Sequence, residues 1–213
     1  MHQPETQPRA SIFYDYKIHP FARPPEMAGK VETVPVVIVG AGPIGMLTAI
    51  ELARFGVKSI LLESELQVSH GSRAIVLTRR SMEILQHAGV AGPFLKKGLQ
   101  WSQGRSYFRG REVYRMVMPH DEDDRFLPGL NIQQQYIEEY LVDAVNATGM
   151  VDFRWGSKVV GLTQRADHAV LRVDTPDGEY DLPAQWVVAA DGGRSAIRRM
   201  LDLRMEGRSY PGN

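Results

Sequence analysis

The stretch of sequence that decides the fold is VVIVGAGPIGMLTAIELARFGVKSILLE, residues Val36–Glu63. Its first four residues, Val36–Val39, are apolar and predict a short strand that is buried on both faces. The turn GAGPIG follows, and beyond it apolar side chains recur at near-helical spacing until Gly56. A second apolar segment, Ser59–Leu62, predicts another strand, which ends at Glu63. Strand, turn, helix and strand in this order predict a βαβ unit.

The turn matches the pattern G-x-G-x-x-G, in which each glycine has its own physical reason. Gly40 lets the chain turn tightly, Gly42 lets a pyrophosphate approach the backbone, and Gly45 lets the helix pack closely on the strand. The helix start also presents free N–H groups and the positive end of the helix dipole to the phosphates. A glycine-rich turn in an ordinary α/β domain is the alternative. We predict a dinucleotide-binding turn formed by Gly40, Ala41, Gly42, Pro43, Ile44 and Gly45.

Glu63 ends the second strand about 20 residues beyond the glycines, where dinucleotide-binding folds carry an acidic residue. Its carboxylate can accept hydrogen bonds from ribose hydroxyls, and it would repel a 2′-phosphate. The dinucleotide is therefore expected to lack that phosphate. Ser64, the next residue, is included in the predicted site.

The bulk composition excludes several classes of protein. The chain has 213 residues, enough for one sizeable domain or for a domain with an appendage. Lys+Arg and Asp+Glu both number 25, which argues against a general nucleic-acid binder and leaves open only a local basic patch. The chain has no cysteine, so disulfides, thiol catalysis and cysteine-bound zinc are excluded. No segment has the apolar length of a membrane span or the pattern of a signal peptide, so we expect a soluble cytoplasmic protein.

The N-terminal segment of the chain differs in composition from the rest. Residues 1–33 are polar and rich in proline, and we predict an extended arm without a core of its own. Its aromatic residues Phe13, Tyr14 and Tyr16 either dock on the domain or belong to a disordered segment. Residues 34–213 are predicted to form one domain.

The middle of the chain predicts a helix, a hairpin and a polar loop. Thr78 or Ser81 can cap a helix that ends at Gly89. Two short strands flanking residues 109–111 suggest a hairpin. His120 precedes four acidic residues, and for this segment we prefer a solvated loop to a metal site.

A second amphipathic helix is predicted over Gln133–Ala147. From Val151 the apolar period changes to two, which predicts strands in a small antiparallel sheet at about residues 151–182. A run predicted to be buried, Trp186–Ala190, then leads into DGGRSAIR. Asp191 would project from the carboxyl end of that strand, the edge at which open parallel sheets bind ligands. A capped helix start at Ser195 and a ligand site both remain open interpretations.

The pairing of GAGPIG and Glu63 with the later AADGGRSAIR resembles the class A aromatic hydroxylases, the single-component FAD-dependent monooxygenases. The resemblance runs from Val34 to Arg199 and points to the branch of phenol, hydroxyphenylpropionate and polyketide hydroxylases. It implies a Rossmann-like FAD-binding fold, a parallel sheet with helices, in which the small antiparallel sheet is inserted. It also implies FAD and NADPH binding through D-G-x-x-S-x-x-R, matched by Asp191, Gly192, Ser195 and Arg198.

Two further segments are similar to segments of that family. GSRAIVL resembles the arginine segment beside the flavin, which implies a cofactor contact for Arg73, although a surface arginine is the alternative on spacing alone. NIQQQYIEEYL resembles the helix whose glutamine contacts the cofactor, and we favour Gln134 over Gln135.

The family activity implied by the resemblance is hydroxylation of a small phenolic or aromatic substrate with NADPH and O₂. The flavin carries this chemistry, so no catalytic side chain and no metal ligand is nominated. The family's third motif, Gly-Asp followed by Ala-Ala-His, has no match after Arg198. We therefore predict an FAD-binding part truncated at its C-terminus, with little hydroxylase activity and with exposed apolar surface that favours self-association. One chain of a split flavoenzyme or a non-catalytic dinucleotide-binding module is the alternative, and an NAD-dependent dehydrogenase is less favoured.

Overall fold

The structure, a computed structural model, describes residues 1–71 and 75–208 of the chain. Its α-helices are α1 (Pro43–Arg54), α2 (Arg79–His87), α3 (Ala91–Lys97), α4 (Gln134–Ala147) and α5 (Ala196–Met200). Its strands are β1 (Val34–Val39), β2 (Ser59–Leu62), β3 (Val76–Thr78), β4 (Leu99–Trp101), β5 (Gln103–Phe108), β6 (Arg111–Val117), β7 (Gly129–Asn131), β8 (Val151–Arg154), β9 (Lys158–Gln164), β10 (Ala169–Thr175) and β11 (Gly178–Ala189).

A six-stranded mixed sheet with the order β8-β2-β1-β11-β10-β9 organises the domain. Strands β1 and β2 are parallel and are joined by α1, so the predicted βαβ unit is confirmed. Strand β1 also pairs in parallel with β11, and β2 pairs in parallel with β8. The carboxyl ends of these four strands therefore lie at one edge of the sheet, where ligands bind in folds of this class. The predicted Rossmann-like α/β fold is confirmed.

The antiparallel strands are a continuation of that sheet. Strand β10 pairs antiparallel with both β9 and β11. Strand β11 is 12 residues long, and the same strand continues along β1 in parallel. The first of the strands predicted for the inserted sheet, β8, instead pairs in parallel with β2. The alternating pattern identified these strands, but a period of two carries no information about the partner or the direction of pairing.

The core consists of two apolar clusters, one on each face of the sheet. Ile38 faces α1 and α4 on one side, whereas Val37 faces the antiparallel strands and α5 on the other. Both side chains are fully buried, which explains the continuous apolar run of β1. On α4, Leu141 and Val145 belong to the first cluster, as their spacing predicts.

The run Trp186–Ala190 differs from the prediction of a buried strand. Trp186 is 70% exposed and Ala189 is exposed, while Val187 and Val188 are only half-buried. Apolar composition predicts the strand, but burial requires a neighbouring element on each face. No element within residues 1–71 and 75–208 covers the Trp186 side chain.

The middle of the chain forms the three-stranded sheet β3-β7-β4 and the hairpin β5-β6. The side-chain oxygen of Thr78 accepts a hydrogen bond from the Ser81 amide at 3.3 Å, so Thr78 is the cap of α2. At the hairpin turn, Arg109 and Gly110 both have positive φ, 47° and 78°, as a two-residue turn of type I′ requires. Both strands of this hairpin are largely exposed.

Residues 1–33 run over the surface of the domain and contribute to its core. Tyr14 and Tyr16 are buried in the first cluster, whereas Phe13 is 77% exposed. Residues Pro25–Ala28 form a 3₁₀ helix, and Glu26 within it pairs with the buried Arg154 at 2.9 Å. The division at residue 33 stays a prediction. Within the described residues, no helix combines the length and the apolar composition needed to cross a membrane.

Candidate functional site

Two strand–turn–helix units lie side by side at the carboxyl edge of the sheet. Strands β1 and β11 are in register up to Val39 and Ala189, and the Ala190 amide donates to the Val39 carbonyl at 2.9 Å. The glycine turn that begins at Gly40 follows β1, and the turn that begins at Asp191 follows β11. The two motifs that are far apart in sequence therefore face the same space.

The three glycines of the first turn differ in what surrounds them. Gly40 has φ of 99°, and a Cβ there would lie 2.6 Å from the Ala190 carbonyl oxygen. A Cβ at Gly45 would lie 2.0 Å from the Gly40 carbonyl oxygen, so Gly45 packs the helix against the strand. A Cβ at Gly42 would meet nothing within 4 Å. The fold itself therefore requires Gly40 and Gly45, whereas the bare backbone at Gly42 faces open space.

The start of α1 has no cap from a side chain of the described protein. Gly42 is the N-cap residue, and Pro43 occupies the first helical position, where its missing N–H costs nothing. The first bond of the helix runs from the Met46 amide to the Gly42 carbonyl at 3.1 Å. The preceding amides and the positive end of the dipole are thus available to an anion. Ile44, beside them, is 70% exposed.

The Glu63 carboxylate points back into the first turn. Its Oε2 accepts a hydrogen bond from the Ala41 amide at 2.9 Å, and its Oε1 accepts from the Ser64 hydroxyl at 3.1 Å and the Glu65 amide at 3.0 Å. Burial raises the pKa of the Glu63 carboxyl above its usual value, and these hydrogen bonds partly oppose the rise. The predicted acid is thus held next to the predicted phosphate-binding turn.

A cleft of about 430 Å³ joins the two turns. Most of the predicted cofactor residues line it, together with residues of α4 and β9. The predicted residues that it brings together are Gly40, Gly42, Pro43, Ile44, Glu63, Ser64, Gln134, Asp191 and Gly192. Ala41 lines an adjoining cleft, while Gly45 is buried beneath the turn. Arg73 lies outside the described residues.

Side chains of the second turn accept hydrogen bonds from the first backbone amides of α5. Asp191 Oδ2 accepts hydrogen bonds from the Ala196 and Ile197 amides at 2.6 and 3.1 Å. The Ser195 hydroxyl oxygen accepts from the Arg198 amide at 2.9 Å, so Ser195 is the N-cap of α5. The Arg198 guanidinium donates to the Gly193 carbonyl at 2.9 Å. Ser195 and Arg198 therefore stabilise the turn and do not line the cleft.

Asp191 has one carboxylate oxygen that the described protein leaves without a partner. Its Oδ1 is buried and makes no hydrogen bond to residues 1–71 or 75–208. Buried acceptors are nearly always paired in folded proteins, so an unpaired one beside a cleft indicates a ligand donor. Asp191 lines the cleft that continues to Gly42.

Helix α4 contributes two polar side chains to the same cleft, Gln134 and Glu138. The Gln134 amide nitrogen donates to Glu138 Oε1 at 2.7 Å, and Glu138 Oε2 accepts from the Ser69 amide at 2.7 Å. Gln135 is buried and lies outside the cleft lining, which supports the choice of Gln134. Glu138 was not among the residues predicted from the sequence, although its position four residues after Gln134 on one helix face predicts that the two lie together.

The donors and acceptors of the cleft fit an adenine dinucleotide. An open helix start suits a diphosphate, the buried Glu63 suits ribose hydroxyls, and Asp191 Oδ1 suits a further hydroxyl or amide donor. Among residues 1–71 and 75–208, no group of three or more His, Asp or Glu side chains is arranged to hold a metal ion.

Comparison with known proteins gives one family. A family model described as "FAD binding domain" matches residues 33–212. The 3-(3-hydroxy-phenyl)propionate/3-hydroxycinnamic acid hydroxylase of Burkholderia cenocepacia (strain HI2424) is 34% identical over 177 residues, which are 83% of this chain and 33% of that protein. Para-nitrophenol 4-monooxygenase of Pseudomonas sp. (strain WBC-3) is 27% identical over 176 residues, which are 81% of this chain and 43% of that protein.

Solved structures agree with this assignment. The p-nitrophenol 4-monooxygenase PnpA from Pseudomonas putida DLL-E4 has a TM-score of 0.78 at 28% identity, covering 84% of this chain and 46% of that one. The flavin-dependent monooxygenase PieE, solved in complex with FAD and substrate, has a TM-score of 0.75 at 29% identity, covering 83% and 33%. The chain spans about a third of the length of the hydroxyphenylpropionate hydroxylase that it matches.

Proposed function

The chain belongs to the FAD-binding domain family of the FAD-dependent aromatic hydroxylases, and on this premise we propose that it binds FAD across its two glycine turns. The observation that carries this proposal is the continuous cleft from Gly42 to Asp191, with the Glu63 carboxylate at its side. The open start of α1 would hold the diphosphate, and Glu63 would accept hydrogen bonds from the ribose hydroxyls.

The remaining predicted residues have supporting roles in this proposal. Asp191 Oδ1 would accept a hydrogen bond from the flavin half of the cofactor, since Asp191 lines the cleft between the two turns and does not line the adjoining cleft of Ala41 and Glu65. Gln134 would contact the cofactor from α4, and Ser195 and Arg198 would keep the second turn in shape. Arg73 stays a prediction from the sequence.

We propose that the complete enzyme to which this sequence is related hydroxylates a phenolic or aromatic substrate, with NADPH as reductant. Bound flavin supplies the redox chemistry with O₂, while the protein orients the cofactor and excludes water from it. No side chain of this chain is assigned as an acid, a base or a nucleophile. A cytoplasmic location stays a prediction from the sequence.

We further propose that these 213 residues alone hydroxylate little or nothing. No Gly-Asp motif followed by Ala-Ala-His occurs after Arg198, and the chain spans about a third of the relatives it matches. Exposed apolar side chains support this proposal, because Trp186 is 70% exposed and Met205 is 72% exposed. These side chains would pack against the remaining part of an aromatic hydroxylase, or would drive self-association without it.

The test is a titration of FAD with the purified chain, in which binding is measured as quenching of flavin fluorescence. We expect saturable binding by the parent chain and none by Gly42→Val, because the new side chain would fill the space next to the open amides. Circular dichroism should show that the helical content of Gly42→Val is close to that of the parent.

A matched control is Gly92→Val in the first turn of α3, where a Cβ also meets nothing within 4 Å and which lines neither the cleft between the two turns nor the one that adjoins it. This variant should bind FAD as the parent does. Unchanged FAD affinity in Gly42→Val would contradict phosphate contact at the first turn. Substrate-coupled O₂ uptake with NADPH by the chain alone would contradict the proposed lack of activity.

A further inference from the structure

Residues 1–32 of the N-terminal arm lie outside the range matched by the family, and yet the arm is hydrogen-bonded to the loop that follows Glu63. A ring nitrogen of His2 is 2.7 Å from the Ser64 carbonyl oxygen. The Arg9 guanidinium donates to the Val68 carbonyl at 2.8 Å, and the His19 amide donates to the Leu66 carbonyl at 2.7 Å. The arm therefore follows this loop along its length.

A buried side chain fixes the arm in this position. Gln67 is only 2% exposed, and its carbonyl oxygen accepts a hydrogen bond from the Arg9 amide at 3.1 Å. Its amide nitrogen donates to the Gln7 carbonyl at 3.1 Å and to Glu5 at 3.3 Å. Displacing the arm would break all three of these hydrogen bonds.

A second cleft, of about 520 Å³, lies between the arm and the first glycine turn. Arg9 and Ala10 line it from the arm, and Ala41 lines it from the turn. Gly42 and Glu63 line both this cleft and the one that reaches Asp191. The two clefts therefore meet where the diphosphate and the ribose are proposed to bind.

The charges of the second cleft select one end of the dinucleotide. Its carboxylates are Glu5, Glu63, Glu65 and Glu138, whereas Arg9 is its one arginine or lysine among the described residues. Arg9 is also paired with Glu5 at 2.9 Å and with Glu65 at 3.4 Å. An acceptor-rich cleft suits the hydroxyls and the amino group of adenosine and disfavours an added phosphate.

We propose that the N-terminal arm forms the outer wall of the adenosine subsite, with Ala10 facing the bound adenosine. The inference rests on the proposed FAD binding and adds a segment that the family match does not include. The flavin half of the cofactor lies on the other side of Gly42, toward Asp191.

The chain has no cysteine, so a single introduced thiol reports on one position. The test compares Ala10→Cys with Ile12→Cys, whose native side chain is 90% exposed and does not line the cleft. Each variant, carrying all 213 residues, is labelled with a bulky maleimide in the presence and absence of FAD. At FAD concentrations of 100 times Kd, only about 1% of the protein is free, so labelling at position 10 should slow by up to about 100-fold. Labelling at position 12 should not change.

Two half-cofactors locate the subsite. AMP should protect the Ala10→Cys thiol, and FMN should not, because only AMP carries adenosine. Protection by FMN alone would overturn the adenosine assignment. Equal labelling rates with and without FAD, in a variant whose fluorescence quenching proves FAD binding, would overturn the role of the arm and leave the proposed function intact. Failure of the parent chain to quench FAD fluorescence would overturn the proposed function and this inference with it.

Discussion

The two glycine turns at the edge of the sheet look alike in sequence and differ in how their helices begin. Helix α1 is 12 residues long and starts at Gly42 without a side-chain cap. Helix α5 is five residues long and starts at Ser195, whose hydroxyl caps it, and the Asp191 carboxylate accepts from two of its amides. The first turn thus leaves backbone amides available to a ligand, whereas the first amides of α5 are hydrogen-bonded to Asp191 and Ser195.

The carboxylates of Glu63 and Asp191, which follow β2 and β11, also differ. Here it is the second turn that leaves a group unpaired. Both oxygens of Glu63 accept hydrogen bonds from the protein, and one of them holds the Ala41 amide. Asp191 uses Oδ2 for its own helix and leaves Oδ1 buried without a partner in the described protein. A helix start after a glycine turn is therefore not enough to identify an anion site, and the cap decides what the turn can bind.

The largest effect is expected from Gly45→Ala in the first turn. The added Cβ would lie 2.0 Å from the Gly40 carbonyl oxygen, so helix and strand must separate at a cost of about 3 kcal/mol. Urea unfolding followed by circular dichroism measures this loss. Gly193→Ala in the second turn is the control, because its Cβ meets nothing within 4 Å. Equal stability of the two variants would contradict the close packing at Gly45.

A smaller effect is expected from Asp191→Ala. It removes the carboxylate that accepts from the Ala196 and Ile197 amides, with a loss of about 2 kcal/mol in the free energy of unfolding. FAD affinity should also fall, since Oδ1 is the proposed cofactor acceptor. Asp123→Ala, in the exposed acidic loop, should change neither quantity. A loss of stability with unchanged FAD affinity would make Asp191 a cap alone.

Ser195→Ala tests the cap separately from the cleft. The serine hydroxyl caps α5 but does not line the cleft, so the free energy of unfolding should fall by about 1 kcal/mol. FAD affinity should stay closer to that of the parent than in Asp191→Ala. Ser106→Ala, on the exposed hairpin, should leave both values unchanged. A loss in the free energy of FAD binding that exceeds the loss in the free energy of unfolding would indicate that Ser195 contacts the ligand.

The smallest effect concerns the pH dependence of stability at Glu63. Because burial raises the pKa of its carboxyl, the folded state holds the proton more tightly than the unfolded state does. The stabilisation from this proton is fully present below the unfolded-state pKa of about 4.3 and is lost as the pH rises through the folded-state pKa. The stability of the parent relative to Glu63→Gln should therefore decrease as the pH rises from the unfolded-state pKa through the higher folded-state pKa. Urea unfolding at several pH values measures the difference, and an increase with pH would contradict the assigned direction.

Local sequence patterns predicted much of the structure at the carboxyl edge of the sheet. The βαβ unit, the two turns and the family itself could be predicted from short segments, and the caps now found at Thr78 and Ser195 were each one of two open interpretations. The turns and the caps depend on residues a few positions apart, such as a helix cap and the amide three residues later. The same segments could not show that Asp191 caps α5 with one oxygen and leaves the other unpaired.

By itself, the sequence determined the strand–turn–helix units and their glycines, because backbone conformation and packing at Gly40 and Gly45 are constraints between near neighbours. Only the tertiary structure decided that β8 lies parallel beside β2, that Trp186 is exposed and that the arm runs along the loop after Glu63. These features depend on contacts such as that between Arg9 and Val68, which are 59 residues apart. A residue pattern records which surfaces are apolar or polar, but the partner of each surface is chosen when the whole chain packs.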